Sequence, residues 1–107
     1  MNDLEWDKGF ADEQAGGDTE LLAELLNLLR TSSLADLEKI KAAIIANDGD
    51  AVADAAHSIK GAAASLGVEG LRAVSYEFEK KGRAGDLASL NVTDLEELIV
   101  QLDGLES

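Results

Sequence analysis

Glycine and proline set the lengths of the segments in this chain of 107 residues. Proline is absent, and the glycines mostly fall in clusters, at Gly16 and Gly17, at Gly49, between Gly67 and Gly70, and between Gly82 and Gly85. Because glycine commonly marks the boundaries of helices, these clusters divide the chain into segments of helical length. The pattern predicts helices over residues numbered about 6–15, 18–46, 51–66, 70–82 and 92–105.

The second segment carries a long helical signal. Its apolar residues recur at the spacing of one helix face from Leu22 to Ile44, and this stripe keeps its phase through Ser32 and Ser33. We therefore expect one long helix here, although Ser33 and Asp36 could cap a second one. With short turns between the segments, the sequence predicts an all-α fold. We expect an antiparallel four-helix bundle with a short extra N-terminal helix, in a single domain over residues 1–107.

Charge and cysteine content exclude several classes of function. With 22 acidic and 9 basic residues, the formal net charge is −13, which disfavours nucleic acid and anionic membranes as partners. Cysteine is absent, so neither disulfides nor cysteine-ligated zinc can form. One histidine and scattered carboxylates offer no metal-ligand spacing, and we find no signal peptide or membrane-spanning stretch. We therefore expect a cytoplasmic monomer without a metal site and without membrane insertion.

The stretch AAHSIKGAAASLG, numbered 55–67, contains the chain's single histidine, His57. The helix predicted here ends at Gly67, and its core face runs through Val52, Ile59 and Leu66. On a helical wheel His57 lies about 140° away from Val52, on the exposed side of the helix. The histidine is therefore predicted to lie outside the core.

Four neighbours of His57 share this exposed side: Ala53, Lys60, Gly61 and Ala64. A glycine inside a helix costs about 1 kcal/mol relative to alanine, so Gly61 needs another reason. Side chains lean toward the helix N-terminus, and the absent side chain of Gly61 leaves the imidazole edge open. Lys60 can turn its ammonium toward an anion there, while Ala53 and Ala64 keep a flat face for partner docking. The residues alone therefore indicate a phosphoryl acceptor.

This segment also resembles a known family. HSIKGAAASLG is similar to the H-x-x-K-G-x-x-x-x-x-G signature of histidine-containing phosphotransfer (HPt) domains, with agreement at His57, Lys60, Gly61, Leu66 and Gly67. A weaker resemblance extends over residues 16–86. The fold of that family, an antiparallel four-helix bundle with a short N-terminal helix, agrees with the segments predicted above.

The resemblance implies a phosphocarrier in a two-component phosphorelay, which accepts a phosphoryl group from a receiver-domain aspartate and passes it to another. It implies that His57 is the phosphorylated residue, that Lys60 helps to hold the phosphoryl charge, and that Gly61 leaves room for the partner. It also implies that the receiver domain of a response regulator or hybrid kinase brings the Mg²⁺. The domain itself is expected to have no cofactor, to bind no ATP and to lack autokinase activity.

Two alternatives stay open. The chain could be an acidic helical adaptor that binds a partner through its extra apolar residues without phosphoryl chemistry. It could also resemble the phosphorylated module of a chemotaxis-type kinase, in which an ATP-binding domain charges the histidine directly. Beside the site, Asp54 is expected to tune His57 only slightly, and Tyr76 and Trp6 are interpreted as partly exposed packing aromatics.

Overall fold

Helices account for most of the chain in a computed structural model that describes residues 3–105. The helices are α1 (Lys8–Gln14), α2 (Thr19–Ile45), α3 (Gly49–Ser65), α4 (Glu69–Ala84) and α5 (Val92–Gln101), followed by a 3₁₀ turn (Leu102–Gly104). Around the bundle, α2 packs on α3, α3 on α4, α4 on α5, and α5 on α2. The predicted all-α four-helix bundle with a short N-terminal helix is confirmed. The predicted domain also includes residues 1, 2, 106 and 107, which lie outside the described part.

The long helix α2 is continuous through the serine pair. The side chain of Asp18 accepts hydrogen bonds from the backbone N–H groups of Glu20 and Leu21, which begins the helix. The stripe from Leu22 to Ile44 faces inward, and its members are buried or half-buried. Off the stripe, Ile45 is 87% exposed at the C-terminal end of the helix. The single unbroken stripe therefore accounts for a single helix.

Helices α3 and α4 approach each other closely where α3 begins and α4 nears its end. A β-carbon at Gly82 would lie 2.7 Å from the carbonyl oxygen of Gly49 and 2.9 Å from the backbone nitrogen of Ala53. Because α4 runs to Ala84, Gly82 lies inside the helix and not at its end as predicted. Gly85 follows the helix with a φ of 75°. The close backbone contact aligns α3 and α4 along their length.

The N-terminal segment is attached to the turn between α3 and α4. The indole Nε1 of Trp6 donates to the carbonyl of Leu66 at 3.1 Å, and the backbone N–H of Asp7 donates to the carbonyl of Gly67 at 2.8 Å. Because α1 begins at Lys8, Trp6 precedes the helix, whereas the sequence predicts that Trp6 begins it. Gly67 follows α3 with a φ of 70°, a conformation that favours glycine.

The last predicted helix is shorter than expected. Its α-helical part ends at Gln101, and the chain tightens into the 3₁₀ turn that ends at Gly104. Among residues 3–105, no helix is both long enough and apolar enough to cross a membrane.

Candidate functional site

His57 lies in the middle of α3 on the side that faces solvent. The opposite side of the helix is packed into the core through Val52, Ala56, Ile59 and Ala63, each of which is fully buried. The side chain of His57 is 63% exposed, so its ring is open to a partner molecule. The helical periodicity of α3 therefore places the one histidine of the chain on the surface.

One edge of the His57 ring is bound to a carboxylate from α4. Nδ1 of His57 lies 2.8 Å from Oε2 of Glu79. A carboxylate can only accept a hydrogen bond, so in the neutral ring Nδ1 carries the proton and donates it. The lone pair of the ring is then at Nε2. Glu79 thus sets both the orientation and the tautomer of His57.

Glu79 is held in turn by Lys60. The Lys60 ammonium lies 2.6 Å from Oε1 of Glu79, and the two side chains are only 25% and 14% exposed. The hydrogen bond from Lys60 is the main cause that lowers the pKa of Glu79 below its ordinary value; the bond from His57 acts in the same direction, and partial burial opposes both. The carboxylate therefore stays ionised at neutral pH and accepts from both neighbours.

The Lys60 ammonium is thus engaged in the free protein. Besides Glu79, it lies over the ring of Tyr76, 5.1 Å from the ring centroid, and Lys80 lies 4.5 Å from the same centroid. From the sequence alone, Lys60 is expected to be free to turn its ammonium toward an anion. The structure instead connects it to His57 through Glu79, which contacts both side chains.

Gly61 has no packing reason to be a glycine. Among the described residues, nothing outside its own stretch of helix lies within 4 Å of the position that a β-carbon would take. Gly61 also lies within α3 and is not among the residues with a positive φ. The surface next to His57 is therefore open, and the fold itself does not require that opening.

The predicted docking face is only partly exposed. Ala53 is 0% exposed, so the prediction that it contributes to this face is wrong. A wheel for one helix leaves this position open, but α4 covers it because Gly82 lets its backbone approach Ala53. Ala64 is half-buried, one turn of α3 beyond Lys60.

The carboxylate that contacts the His57 ring is Glu79 and not Asp54, which the sequence suggests as a minor partner of the histidine. Asp54 accepts a hydrogen bond from Arg83 at 3.0 Å, and Glu79, which the sequence analysis missed, binds the imidazole. The position of the turn between α3 and α4 could have predicted the pairing of His57 with Glu79. His57 and Glu79 are equally far from Val68 along the two helices, so an antiparallel hairpin brings them opposite each other.

An apolar groove runs beside the same face of α3. It lies between α2 and α3, has a volume of about 420 Å³, and is lined by Gln14, Leu25, Leu28, Leu29, Ser32, Ala62, Ser65 and Leu66. Leu28 at its edge is exposed. Within the part of the chain that the structure describes, no group of three or more His, Cys, Asp or Glu side chains is placed to hold a metal ion.

Comparison with known proteins identifies a family and a relative that this chain matches. A family model for the Hpt domain matches residues 24–105. The chain is 37% identical over 94 residues to the sensor histidine kinase GacS of Pseudomonas protegens, in an alignment that covers 85% of the chain and 10% of the kinase. The chain thus spans about a tenth of the length of that relative.

The fold is also similar to that of a solved structure. The crystal structure of histidine-containing phosphotransfer protein B (HptB) from Pseudomonas aeruginosa PAO1 matches with a TM-score of 0.81 and 23% sequence identity. The match covers 92% of this chain and 87% of that one. At this identity the likeness establishes the shared helical fold.

Proposed function

Because the chain belongs to the Hpt domain family, the histidine phosphocarriers of phosphorelays, we propose that it accepts a phosphoryl group on His57 from a receiver-domain aspartate and passes it to an aspartate of another receiver. The observation that supports this role most strongly is the exposed imidazole whose Nδ1 is bound to Glu79. A nucleophile needs a free lone pair within reach of its partner, and Nε2 meets both conditions.

The transfer of the phosphoryl group needs no proton shuttle. The Nε2 lone pair attacks the phosphorus of an aspartyl phosphate, the phosphorus–oxygen bond breaks, and the aspartate carboxylate leaves with the bonding electrons. Because the Nδ1 proton stays in place, the ring becomes a phosphoimidazolium whose positive charge faces Glu79 at 2.8 Å. Onward transfer reverses these steps, and the neutral imidazole is the leaving group.

Lys60 and Gly61 support this step in different ways. Lys60 keeps Glu79 ionised and places a positive charge one helix turn from His57, which offsets part of the phosphoryl charge. Gly61 leaves open the surface that a receiver must cover to bring its phosphate in line with Nε2.

The partner is proposed to bring the Mg²⁺. The carboxylates nearest to His57 are engaged within the domain, Glu79 with Lys60 and Asp54 with Arg83. Phosphoryl transfer depends mainly on positioning and charge neutralisation, so a receiver that holds the metal can supply much of the catalysis.

We place the carrier in the cytoplasm as a monomer that exchanges phosphoryl groups with receiver domains and does not bind ATP. The formal net charge of −13 supports a partner other than nucleic acid. A purely structural adaptor is less favoured, because it gives no reason for the contact between His57 and Glu79.

The proposal is tested by intact-mass spectrometry after the protein is mixed with pre-phosphorylated receiver domains and Mg²⁺. We expect one phosphoryl adduct that is labile in acid and stable in alkali, and none on His57→Gln. Equal labelling of the variant, or no labelling of the wild type by any receiver, would overturn the carrier role. Charging only by an ATP-dependent kinase domain would favour the chemotaxis-type alternative.

A further inference from the structure

The residues of α3 around His57 offer little to bind a partner. Ser58, Gly61, Ala64 and Ser65 are small, and they present a smooth surface beside the ring. A stable protein interface buries about 800 Å² on each partner, which corresponds to a patch roughly 30 Å across. A receiver that reaches Nε2 therefore also covers the neighbouring helices, and its anchoring contacts lie there.

Tyr76 is the large side chain that α4 exposes within this patch. It lies one helix turn before Glu79 and is 42% exposed. Its neighbour across the hairpin is Lys60, whose ammonium is 5.1 Å from the ring centroid. Because packed helices lie about 8–10 Å apart, Tyr76 is within the area that a partner bound at His57 covers.

The ring of Tyr76 is held in place before any partner binds. Lys60 and Lys80 both lie within the distance of a cation–π contact, and Lys80 is also paired with Glu77 at 2.7 Å. An aromatic side chain fixed in this way loses little conformational entropy when a partner covers it. Tyrosines of this kind are enriched among the residues that dominate binding energy.

Charge indicates which part of the partner meets this ring. The protein has a formal net charge of −13, and an aspartyl phosphate with the carboxylates that hold its Mg²⁺ is also acidic. Beyond a Debye length of about 8 Å such repulsion is screened at physiological salt, so the cations close to the contact decide whether binding is favourable. Lys60 and Lys80 place two cations at Tyr76, and each is also paired with a carboxylate of α4, Glu79 and Glu77.

Building on the proposed function, we propose that Tyr76, with Lys60 and Lys80 at its ring, is a docking and specificity-determining contact for the acidic rim of the receiver's aspartyl-phosphate site. The receiver then straddles α3, with its reacting aspartate over Nε2 of His57 and its acidic rim over α4. Tyr76 touches the partner and not the reacting atoms.

The test compares two phosphoryl donors on the same variants. One donor is the receiver domain that charges the wild-type protein fastest, and the other is phosphoramidate, a small donor that needs no docking surface. For Tyr76→Ala we expect kcat/KM with the receiver to fall about tenfold or more, mainly through a higher KM. Labelling by phosphoramidate should stay within about twofold of wild type, because the contact of His57 with Glu79 is retained.

Three further variants sharpen the result. Tyr76→Phe keeps the ring and should transfer like wild type, whereas Lys80→Gln should slow transfer most at low salt. Ile45→Ala removes an apolar side chain that is 87% exposed at the far end of α2, and it should change neither reaction.

Two outcomes would overturn the docking role. If the receiver transfers its phosphoryl group to Tyr76→Ala as fast as to the wild type, the ring contributes nothing to docking. Equal loss of both labelling reactions would show that Tyr76 acts through Lys60 and Glu79 instead. Failure of the wild type with every receiver is a different result, because it removes the proposed function and this inference with it.

Discussion

Gly82 of α4 and Gly61 of α3 both lie inside helices, where glycine costs about 1 kcal/mol relative to alanine, but their surroundings are opposite. A β-carbon at Gly82 would meet the backbone of α3 at 2.7 and 2.9 Å, whereas one at Gly61 would meet nothing within 4 Å among residues 3–105 outside its own stretch of helix. The fold therefore requires Gly82, while the reason for Gly61 lies outside the molecule. Gly82 sets the close approach that brings Glu79 to His57, and Gly61 leaves the outer side of the ring open.

The largest effect is expected when the close approach is removed. Gly82→Val places side-chain atoms against the Gly49 carbonyl and the Ala53 nitrogen, so α3 and α4 must separate. We expect the free energy of unfolding to fall by about 3 kcal/mol, as for other overpacked contacts, and this is measured by urea denaturation. A variant as stable as wild type would show that the helices do not depend on this contact.

Gly61→Ala should change the stability of the protein and its rate of phosphoryl transfer in opposite directions. Because the added methyl group meets open space, we expect the free energy of unfolding to rise by about 1 kcal/mol. Transfer from a receiver should slow about tenfold, which corresponds to about 1.4 kcal/mol, while phosphoramidate labelling changes little. Gly104→Ala is the matched control, since Gly104 also has open space around it and lies in the 3₁₀ turn after α5, not on α3. Unchanged receiver transfer to Gly61→Ala would remove the functional reason for this glycine.

A smaller effect is expected when Glu79 loses its charge. Glu79→Gln can still accept from Nδ1 but stabilises the phosphoimidazolium less, so we expect phosphorylation to slow by about three- to tenfold. Glu77→Gln is the control, because Glu77 also has a pKa lowered, mainly by its hydrogen bond from Lys80, but is not the carboxylate that binds the His57 ring. Equal rates in the two variants would contradict the role of Glu79.

The stability difference between wild type and Glu79→Gln is expected to depend on pH. The pKa of Glu79 is lowered in the folded protein, so its stabilising contribution is fully present above the ordinary value of 4.5 and is lost as the pH falls through the lower folded value. The difference in unfolding free energy between wild type and Glu79→Gln should therefore shrink below about pH 4.5. A difference that stays constant or grows in acid would show that Glu79 is not stabilised as an anion.

Features that depend on one helix were predictable from the sequence. The stripe from Leu22 to Ile44 predicted a continuous α2, and the wheel of α3 placed His57 on the exposed side, where 63% of its side chain is accessible. Both follow from helical periodicity alone, because each concerns the orientation of a side chain relative to its own helix axis.

Features that depend on the contact between two helices were not predicted from the sequence. Ala53 is buried because Gly82 admits the α4 backbone, and Glu79 reaches His57 because the hairpin aligns α3 with α4. A wheel of one helix carries neither piece of information. Taking the turn at Val68 as the centre of the hairpin would have placed Glu79 opposite His57. The close approach at Gly82 could not be found in this way, because it depends on the distance between the two helices.

The most direct test of the account identifies which ring nitrogen carries the phosphoryl group. Histidine labelled with ¹⁵N allows the phosphorus–nitrogen coupling of the phosphorylated protein to be assigned by NMR. Because Glu79 occupies Nδ1 at 2.8 Å, we expect phosphorylation at Nε2 of His57. An adduct at Nδ1 would contradict it, since that nitrogen would have to leave Glu79 before it could react.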